Sequence, residues 1–236
     1  MGMLGIITGT IGASADLLAN AKGKVIKNAY GKAFVLISPR GAVIPRHGSD
    51  RRRHILPHEI NHPANMTALK DLGVDEVIAV NSTGSLRKSL KPGLFVVPDD
   101  FILPYGGPTV FSGEAVHITP TIDASVRLKL VRAAGECRIK TIDGGIYWQT
   151  KGPRLETKAE IAMMARFAHL VGMTMAGEAI VAQELDLPYA CLCSVDNYAH
   201  GIGEKTLSQD QIVVHARQNS ENAMRIIRRY IENHHS

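Results

Sequence analysis

The chain has 236 residues, 45% of them hydrophobic and 21% charged, with a formal net charge of +5. That length and balance suit one globular domain over residues 1–236, with no linker, repeat or low-complexity segment to divide it. Lys and Arg form no block longer than Arg51-Arg52-Arg53, with short pairs such as Arg228-Arg229 elsewhere, which argues against a nucleic-acid partner, and no apolar run reaches membrane-spanning length. Residues 1–7 are too short for a signal peptide, so a cytoplasmic protein with no membrane partner is expected.

Strand-like and helical patterns alternate from the N-terminus. Residues 4–7 form an apolar run that enters Thr8-Gly9-Thr10-Ile11-Gly12. Glycines let a backbone approach an anion and Thr hydroxyls donate to it, although an ordinary turn after a first strand looks the same. The loop lacks G-x-G-x-x-G and a Walker lysine, so neither a dinucleotide nor ATP is supported. A second strand is predicted at 34–37. Ile44-Pro45-Arg46-His47-Gly48 then places a guanidinium fork beside an imidazole, a pairing that suits an oxyanion and equally a solvated basic turn. His54, His58 and His62 recur at every fourth position, but Pro57 and Pro63 break the stretch. No Cys or carboxylate there completes a tetrahedral set, so no metal is expected.

A helix is predicted at 63–72 and a strand at 76–81, ending in Asn81-Ser82-Thr83-Gly84-Ser85, which offers hydroxyls and amides to an anion. A strand at 95–98, a helix at 121–137 and a buried strand at 145–148 follow. Gly152 and Pro153 break that strand, and Thr157, three residues before Glu160, forms a capping box for a helix at 157–167. Leu155 and Glu156 are thereby displayed at a strand-to-helix corner, where α/β sheets bind ligands; capping alone would also account for the pattern. In Gly172-Met173-Thr174 the methionine suits a sugar face or a core. A helix at 179–185 precedes a strand at 189–195 that carries Cys191 and Cys193 as buried thiols; with Cys137 these are too few for a disulfide framework. That strand ends in Asp196-Asn197-Tyr198-Ala199, a ligand-site candidate or an Asx turn. A long amphipathic helix at 208–234 closes the chain. The alternation predicts a single three-layer α/β domain with a mixed sheet.

Taken in order, these segments resemble the purine nucleoside and methylthioadenosine phosphorylases, the trimeric branch of the nucleoside phosphorylases. The resemblance runs from Gly5 to the neighbourhood of Arg225. It is carried by Arg46-His47-Gly48, by Pro57, Asn61, Ala64-Asn65 and Ala68-Leu69-Lys70, and by Gly84-Ser85-Leu86. Pro92-Gly93, Asp100-Phe101-Ile102, Gly152-Pro153-Arg154 and Gly172-Met173-Thr174 complete it. It implies a partly barrel-like central sheet flanked by helices. It also implies phosphorolysis: inorganic phosphate, as co-substrate, attacks the anomeric carbon of a purine nucleoside, and the free base and ribose 1-phosphate leave. No metal or organic cofactor is implied. By position, Thr10, Arg46, His47, Ser82 and Thr174 would hold phosphate with Asn81 nearby, Thr8 being the alternative to Thr10. Met173 would lie along the ribose, and His117 would be lent to a neighbouring subunit's sugar pocket in a homotrimer, or in a hexamer of two trimers.

The resemblance also bears on the base. Methylthioadenosine enzymes carry Thr-Asp-Tyr-Asp where this chain has Asp196-Asn197-Tyr198-Ala199. The second Asp of that pattern accepts from the adenine amino group; Ala199 cannot, whereas Asn197 can donate to N7 or O6 of a 6-oxopurine. The 6-oxopurine branch has Phe-Glu-Thr where this chain has Leu155-Glu156-Thr157, and a carboxylate there accepts the N1 proton of hypoxanthine or guanine. Asn197, Glu156 and His47 are thus the expected catalytic groups. Gln209 falls where a His near the 5′-hydroxyl is usual, with Val213 one turn on. Inosine and guanosine are the expected substrates, 5′-methylthioinosine the rival and methylthioadenosine the weaker alternative. A hydrolytic nucleosidase would have no use for Arg46-His47, and a nucleoside- or nucleic-acid-binding protein is suggested only by the basic charge. Asp196 in place of Thr, and Ala176-Gly177-Glu178 without a Pro before Glu, depart from the family pattern.

Overall fold

A computed structural model of the chain describes residues 2–9, 17–18, 20–50, 53–203 and 209–235, with the backbone alone for 209–218. Its centre is three parallel strands: β1 (Met3–Thr8), β5 (Val74–Ser85) and β11 (Tyr189–Tyr198). Their apolar runs are buried on both faces, as parallel strands between layers of helices require. On one side β4 (Gly41–Pro45) pairs with β1, and β3 (Gly31–Ser38) and β2 (Lys22–Asn28) extend the sheet as an antiparallel meander. The edge strand β2 carries Lys22, Lys24 and Lys27, and such charges discourage pairing with another chain. They also break the apolar alternation, which is why no strand was expected there.

The sheet divides at β5. The first half of β5 runs parallel to β1 through Ile7↔Ala79. Its last two residues instead pair antiparallel with β10 (Leu170–Gly172), through Val171↔Gly84 and Leu170↔Ser85. Beyond β10 lie β9 (Ile146–Gln149) and β7 (Asp100–Ile102), all parallel. A second branch leaves β11 through β6 (Phe95–Val97) to β8 (Thr141–Asp143). This makes eleven strands of mixed direction among the described residues, opening at the carboxyl ends of β1, β5 and β11. In α/β sheets that is where ligands bind.

Two expectations are corrected here. The strand expected to end at 81 runs on to Ser85, and 196–198, with an Asx turn as one reading, continue β11 instead; residues 82–85 and 194–198 pair with each other, as in Ser82↔Ser194, Gly84↔Asn197 and Ser85↔Tyr198. Two polar segments each satisfy the other's backbone, which neither reveals alone. The register slips between Val195 and Asn197, so Asp196 is the extra residue of a bulge. Asp196 is fully buried and accepts from Asn219 Nδ2 at 2.7 Å, away from the opening, which accounts for an Asp in place of the usual Thr.

Among the described residues, five α-helices cover the sheet: α1 (His62–Asp71), α2 (Ala124–Glu136), α3 (Lys158–Met164), α4 (Met175–Glu184) and α5 (Gln209–His234). Asn61 and Asp123 cap α1 and α2 by accepting from Ala64 and Val126 N–H, so α2 starts three residues after the expected 121. The expected capping box at α3 forms, with Thr157 and Glu160 each bonding the other's backbone N–H. Helix α4 starts at Met175 rather than 179, because nearly every side is buried and no polar face marks its first turn. Most of the apolar core lies against β1, β5 and β11; a smaller cluster of Leu86, Trp148, Ile161, Met164, Val171 and Ala199 seats α3 and the corner that precedes it. No helix among the described residues is long and apolar enough to cross a membrane.

A buried carboxylate pins α5 to the sheet. Glu76 on β5 accepts from Tyr230 Oη at 2.6 Å, His234 Nδ1 at 3.0 Å and Lys129 Nζ at 2.6 Å. Burial pushes the Glu76 pKa up, but these bonds and the charges of Lys129 and His234 outweigh it, and the net shift is down. The contact therefore contributes its full stability above the ordinary value of 4.5 and loses it as pH falls through the lowered folded value. Glu76→Gln is expected to cost about 1–3 kcal/mol at pH 7. Urea unfolding at a series of pH values checks this: the variant's stability should fall less steeply than the parent's below pH 4.5.

Candidate active site

A cavity of about 480 Å³ occupies the opening where the sheet divides. Its walls come from the turn after β4 (Arg46, His47), the last part of β5 (Ser82 to Gly84), and the corner after β9 (Pro153 to Glu156). The link between β10 and α4 (Met173, Thr174) and the end of β11 with its following residues (Asn197, Ala199, His200) complete the wall. The volume is in the range of small-molecule sites.

One end is built to hold an anion. Arg46 N–H bonds Thr8 O at 2.9 Å, which carries the β4–β1 pairing on and sets the side chain over Gly9; a Cβ on Gly9 would stand 2.6 Å from Arg46 Nη1. The guanidinium, only 3% exposed, makes an ion pair with Glu178 (Nε to Oε1, 2.6 Å) and donates to Glu178 Oε2, Asn81 Oδ1 and Val80 O. Burial lowers the Arg46 pKa, but the Glu178 carboxylate more than offsets this and the guanidinium stays charged. Burial pushes Glu178 up, opposed by Arg46 and by the Tyr189 hydroxyl, which donates to Oε2 at 2.8 Å. Arg46 thus has three N–H groups on protein acceptors, one of Nη1 on Val80 O and both of Nη2 on Asn81 Oδ1 and Glu178 Oε2, while Nε and the second Nη1 proton remain outside these bonds. Its charge reaches the cavity while its geometry is set from behind.

Asn81 does not line the cavity. Its carbonyl accepts from Arg46 and its amide donates to Thr174 Oγ1 at 2.7 Å, so it orients both neighbours. Because Thr174 Oγ1 is already accepting, its own hydroxyl proton is left to donate. Thr174 is also the N-cap of α4, whose dipole favours an anion at that spot. Ser82 adds a hydroxyl to the wall. His47 and Ile55 exchange two hydrogen bonds, Ile55 N–H to His47 O at 2.9 Å and His47 Nδ1 to Ile55 O at 2.7 Å. A carbonyl only accepts, so Nδ1 carries the proton and Nε2 is left as an acceptor. Burial pushes the His47 pKa down to about 4; the Ile55 bond opposes this and the charges of Arg46 and His54 add to it. The imidazole is therefore neutral at pH 7, stacked on the His54 ring at 4.5 Å.

The other end is less polar. Val171, Gly84 and Ala199 form its floor, and a Cβ on Gly84 would stand 3.2 Å from both Val171 Cγ1 and Asn197 Nδ2. Asn197 is 9% exposed; one amide proton goes to Tyr198 O at 3.0 Å, which leaves a second proton and Oδ1. Glu156 is also 9% exposed and accepts from the Thr150 hydroxyl through Oε1 at 2.6 Å. Met173 lies between the two ends, packed on Gly152, where an added Cβ would meet its sulfur at 2.6 Å and where φ is +66°. That left-handed backbone favours glycine.

Of the predicted residues, Arg46, His47, Ser82, Glu156, Met173, Thr174, Asn197 and Ala199 converge on this one cavity. Thr8 is buried and does not line it. Thr10 lies outside the described residues; Gln209 opens α5, but its side chain and that of Val213 lie outside them too. His117 is exposed on the segment between β7 and α2, away from this chain's cavity. His54 lines the cavity, His58 is exposed in a 3-10 turn, and His62 is buried in α1 with Nδ1 unpartnered. No group of metal-binding side chains occurs among the described residues. Thr150 and Glu178 were not foreseen as site residues; a lone carboxylate within the apolar first half of α4 was the available signal for Glu178.

The chain was compared with known proteins. The phosphorylase superfamily profile matches residues 4–232. A probable 6-oxopurine nucleoside phosphorylase of Archaeoglobus fulgidus is 41% identical over 95% of this chain and 94% of its own length. A probable S-methyl-5′-thioinosine phosphorylase of Methanocaldococcus jannaschii is 37% identical over 97% of this chain and 92% of its own. Among solved structures, methylthioadenosine phosphorylase from Schistosoma mansoni in complex with adenine shares the fold, with a TM-score of 0.88 at 24% identity over 100% of this chain and 92% of that one. A methylthioadenosine phosphorylase from an Antarctic soil metagenomic library gives 0.85 at 28% identity, over 98% of this chain and 86% of that one. With the profile matched almost end to end and relatives this similar over nearly their whole length, the chain belongs to the phosphorylase superfamily.

Proposed function

We propose that this enzyme catalyses phosphorolysis of 6-oxopurine nucleosides, inosine and guanosine first, releasing the base and ribose 1-phosphate. The observation that carries the proposal is the pairing of Glu156 and Asn197 with Ala199 at one end of a cavity whose other end is an anion cradle. The names of the two curated relatives, one for 6-oxopurine nucleosides and one for S-methyl-5′-thioinosine, agree with it. Phosphate is held by the Thr174 and Ser82 hydroxyls, the N-terminus of α4 and the Arg46 charge, with His47 Nε2 accepting the remaining proton of the dianion. A phosphate oxygen forms a bond to C1′ as the bond to purine N9 breaks, and the electron pair leaves with the base. Asn197 donates to N7 or O6, where that charge collects, while Glu156 accepts from N1–H. Fixed donors at both ends lower the barrier by position and charge, with no covalent intermediate. We assign no metal or organic cofactor.

A second reading, 5′-methylthioinosine, differs only at the 5′ end, where Gln209 and Val213 would act. We further propose a homotrimer or a hexamer of two trimers in the cytoplasm, with His117 completing a neighbour's sugar pocket; sedimentation at assay concentration tests the assembly. The decisive assay supplies inosine, guanosine, adenosine, methylthioadenosine and methylthioinosine, each with and without phosphate. Turnover should require phosphate and favour the 6-oxo bases; equal use of adenosine and inosine would refute the base assignment. Ala199→Asp returns an acceptor for a 6-amino group and is expected to lower the inosine-to-adenosine ratio of kcat/KM at least about tenfold.

A further inference from the structure

We propose that Thr150 is a positioning residue for base selection, holding the Glu156 carboxylate so that Oε2 faces the purine N1 proton. This rests on the base assignment made above for Glu156. The Thr150 hydroxyl donates to Glu156 Oε1 at 2.6 Å across the Gly152-Pro153 turn, and this is the one hydrogen bond that Glu156 makes among the described residues. Glu156 follows a loop rather than standing within a strand or helix, so without this bond its side-chain torsions would be set by packing alone. A carboxylate free to rotate loses much of its advantage in discriminating N1–H from a bare N1, since selection depends on a fixed acceptor.

Thr150 is suited to this because its own backbone is held. It directly follows β9, and its N–H bonds Gly172 O at 2.8 Å, continuing the β9–β10 pairing. The preceding residue, Gln149, is buried and accepts from Gly177 N–H in the first turn of α4 at 3.1 Å. Adjacent side chains at the end of one strand thus hold the two halves of the site, Gln149 the helix that caps the anion and Thr150 the carboxylate that reads the base. The hydroxyl is required rather than the shape: valine has the same branching but cannot donate, and serine can.

The test is a set of Thr150→Val, Thr150→Ser and Glu156→Gln variants, assayed with inosine and with adenosine at saturating and varied phosphate. Thr150→Val should lower kcat/KM for inosine about tenfold and the inosine-to-adenosine ratio with it, with KM for phosphate unchanged. Thr150→Ser should restore both, and Thr150→Val should add little in the Glu156→Gln background, because both act on one contact. Equal losses on inosine and adenosine, or failure of serine to rescue, would mean that Thr150 is merely structural and would overturn the proposal. If Glu156→Gln shifts the ratio and Thr150→Val does not, the role of Thr150 falls while the base assignment stands. If Glu156→Gln leaves the ratio unmoved, both fall.

Discussion

Glu178→Ala is expected to unfold about 3–5 kcal/mol more readily than the parent chain and to lose phosphate-dependent turnover. The Arg46 and Glu178 side chains are each 2% exposed and pair at 2.6 Å, so removing the carboxylate leaves a buried guanidinium without its counter-charge. The neighbours cannot substitute: Val80 O and Asn81 Oδ1 accept hydrogen bonds but carry no charge, and Tyr189 would lose its own acceptor. Glu178→Gln keeps most of the shape and should fold. Its cost should appear as a raised KM for phosphate, about tenfold or more, with KM for the nucleoside little changed. Replacing the pair together, Arg46→Met with Glu178→Leu, should recover much of the lost stability because no charge is left buried, yet restore no activity. Urea unfolding of the two single variants and the double variant, with a phosphate titration of each, separates the structural from the chemical role. A loss below about 1 kcal/mol in Glu178→Ala would mean that Arg46 finds water or another partner, and the cradle described here would be wrong.

The parts of this arrangement that were legible beforehand share a physical property: their signal is local. Apolar runs at 4–7, 76–81 and 189–195 are the buried cores of β1, β5 and β11. Thr157 and Glu160 lie within one helical turn, so their reciprocal capping can be read from spacing. Each cluster of small polar residues stood at a strand end, and that is where the cavity opens. What was not legible depends on partners distant in the chain. Ser82 to Ser85 look like the polar end of a finished strand until β11 is laid beside them. Asp196 looks like a binding residue until Asn219, on α5, claims it. Arg46 looks like a free fork until Glu178 closes on it from α4. Strand β2 is masked by the lysines that suit it to an edge. The types of side chain at the site could be foreseen; which protons and lone pairs remain for a ligand required the contacts.

Glu156→Gln is expected to lower kcat/KM for inosine about 100-fold while leaving adenosine within a fewfold, so that base preference nearly disappears. The carboxylate is an acceptor at both oxygens; Oε1 takes the Thr150 proton, and Oε2 is left for N1–H of a 6-oxopurine. Adenine presents a lone pair at N1, and a negative oxygen held against it finds no proton to accept there. Discrimination thus comes as much from this mismatch as from the attraction for hypoxanthine. Glutamine removes the charge and can turn its amide to present either a carbonyl or an N–H, so it meets both bases tolerably and neither well. Asn197 acts differently. It sits beside Gly84 and Ala199, and in the proposed reaction it would face N7 or O6, where charge gathers only as the bond to the sugar breaks. Asn197→Ala should therefore lower kcat for inosine by about 100-fold or more with a smaller change in KM, the mark of a contact made mainly in the transition state. Steady-state kinetics on both nucleosides for both variants checks the division of labour. If Glu156→Gln lowered inosine and adenosine turnover alike, the carboxylate would be holding the corner together rather than reading the base.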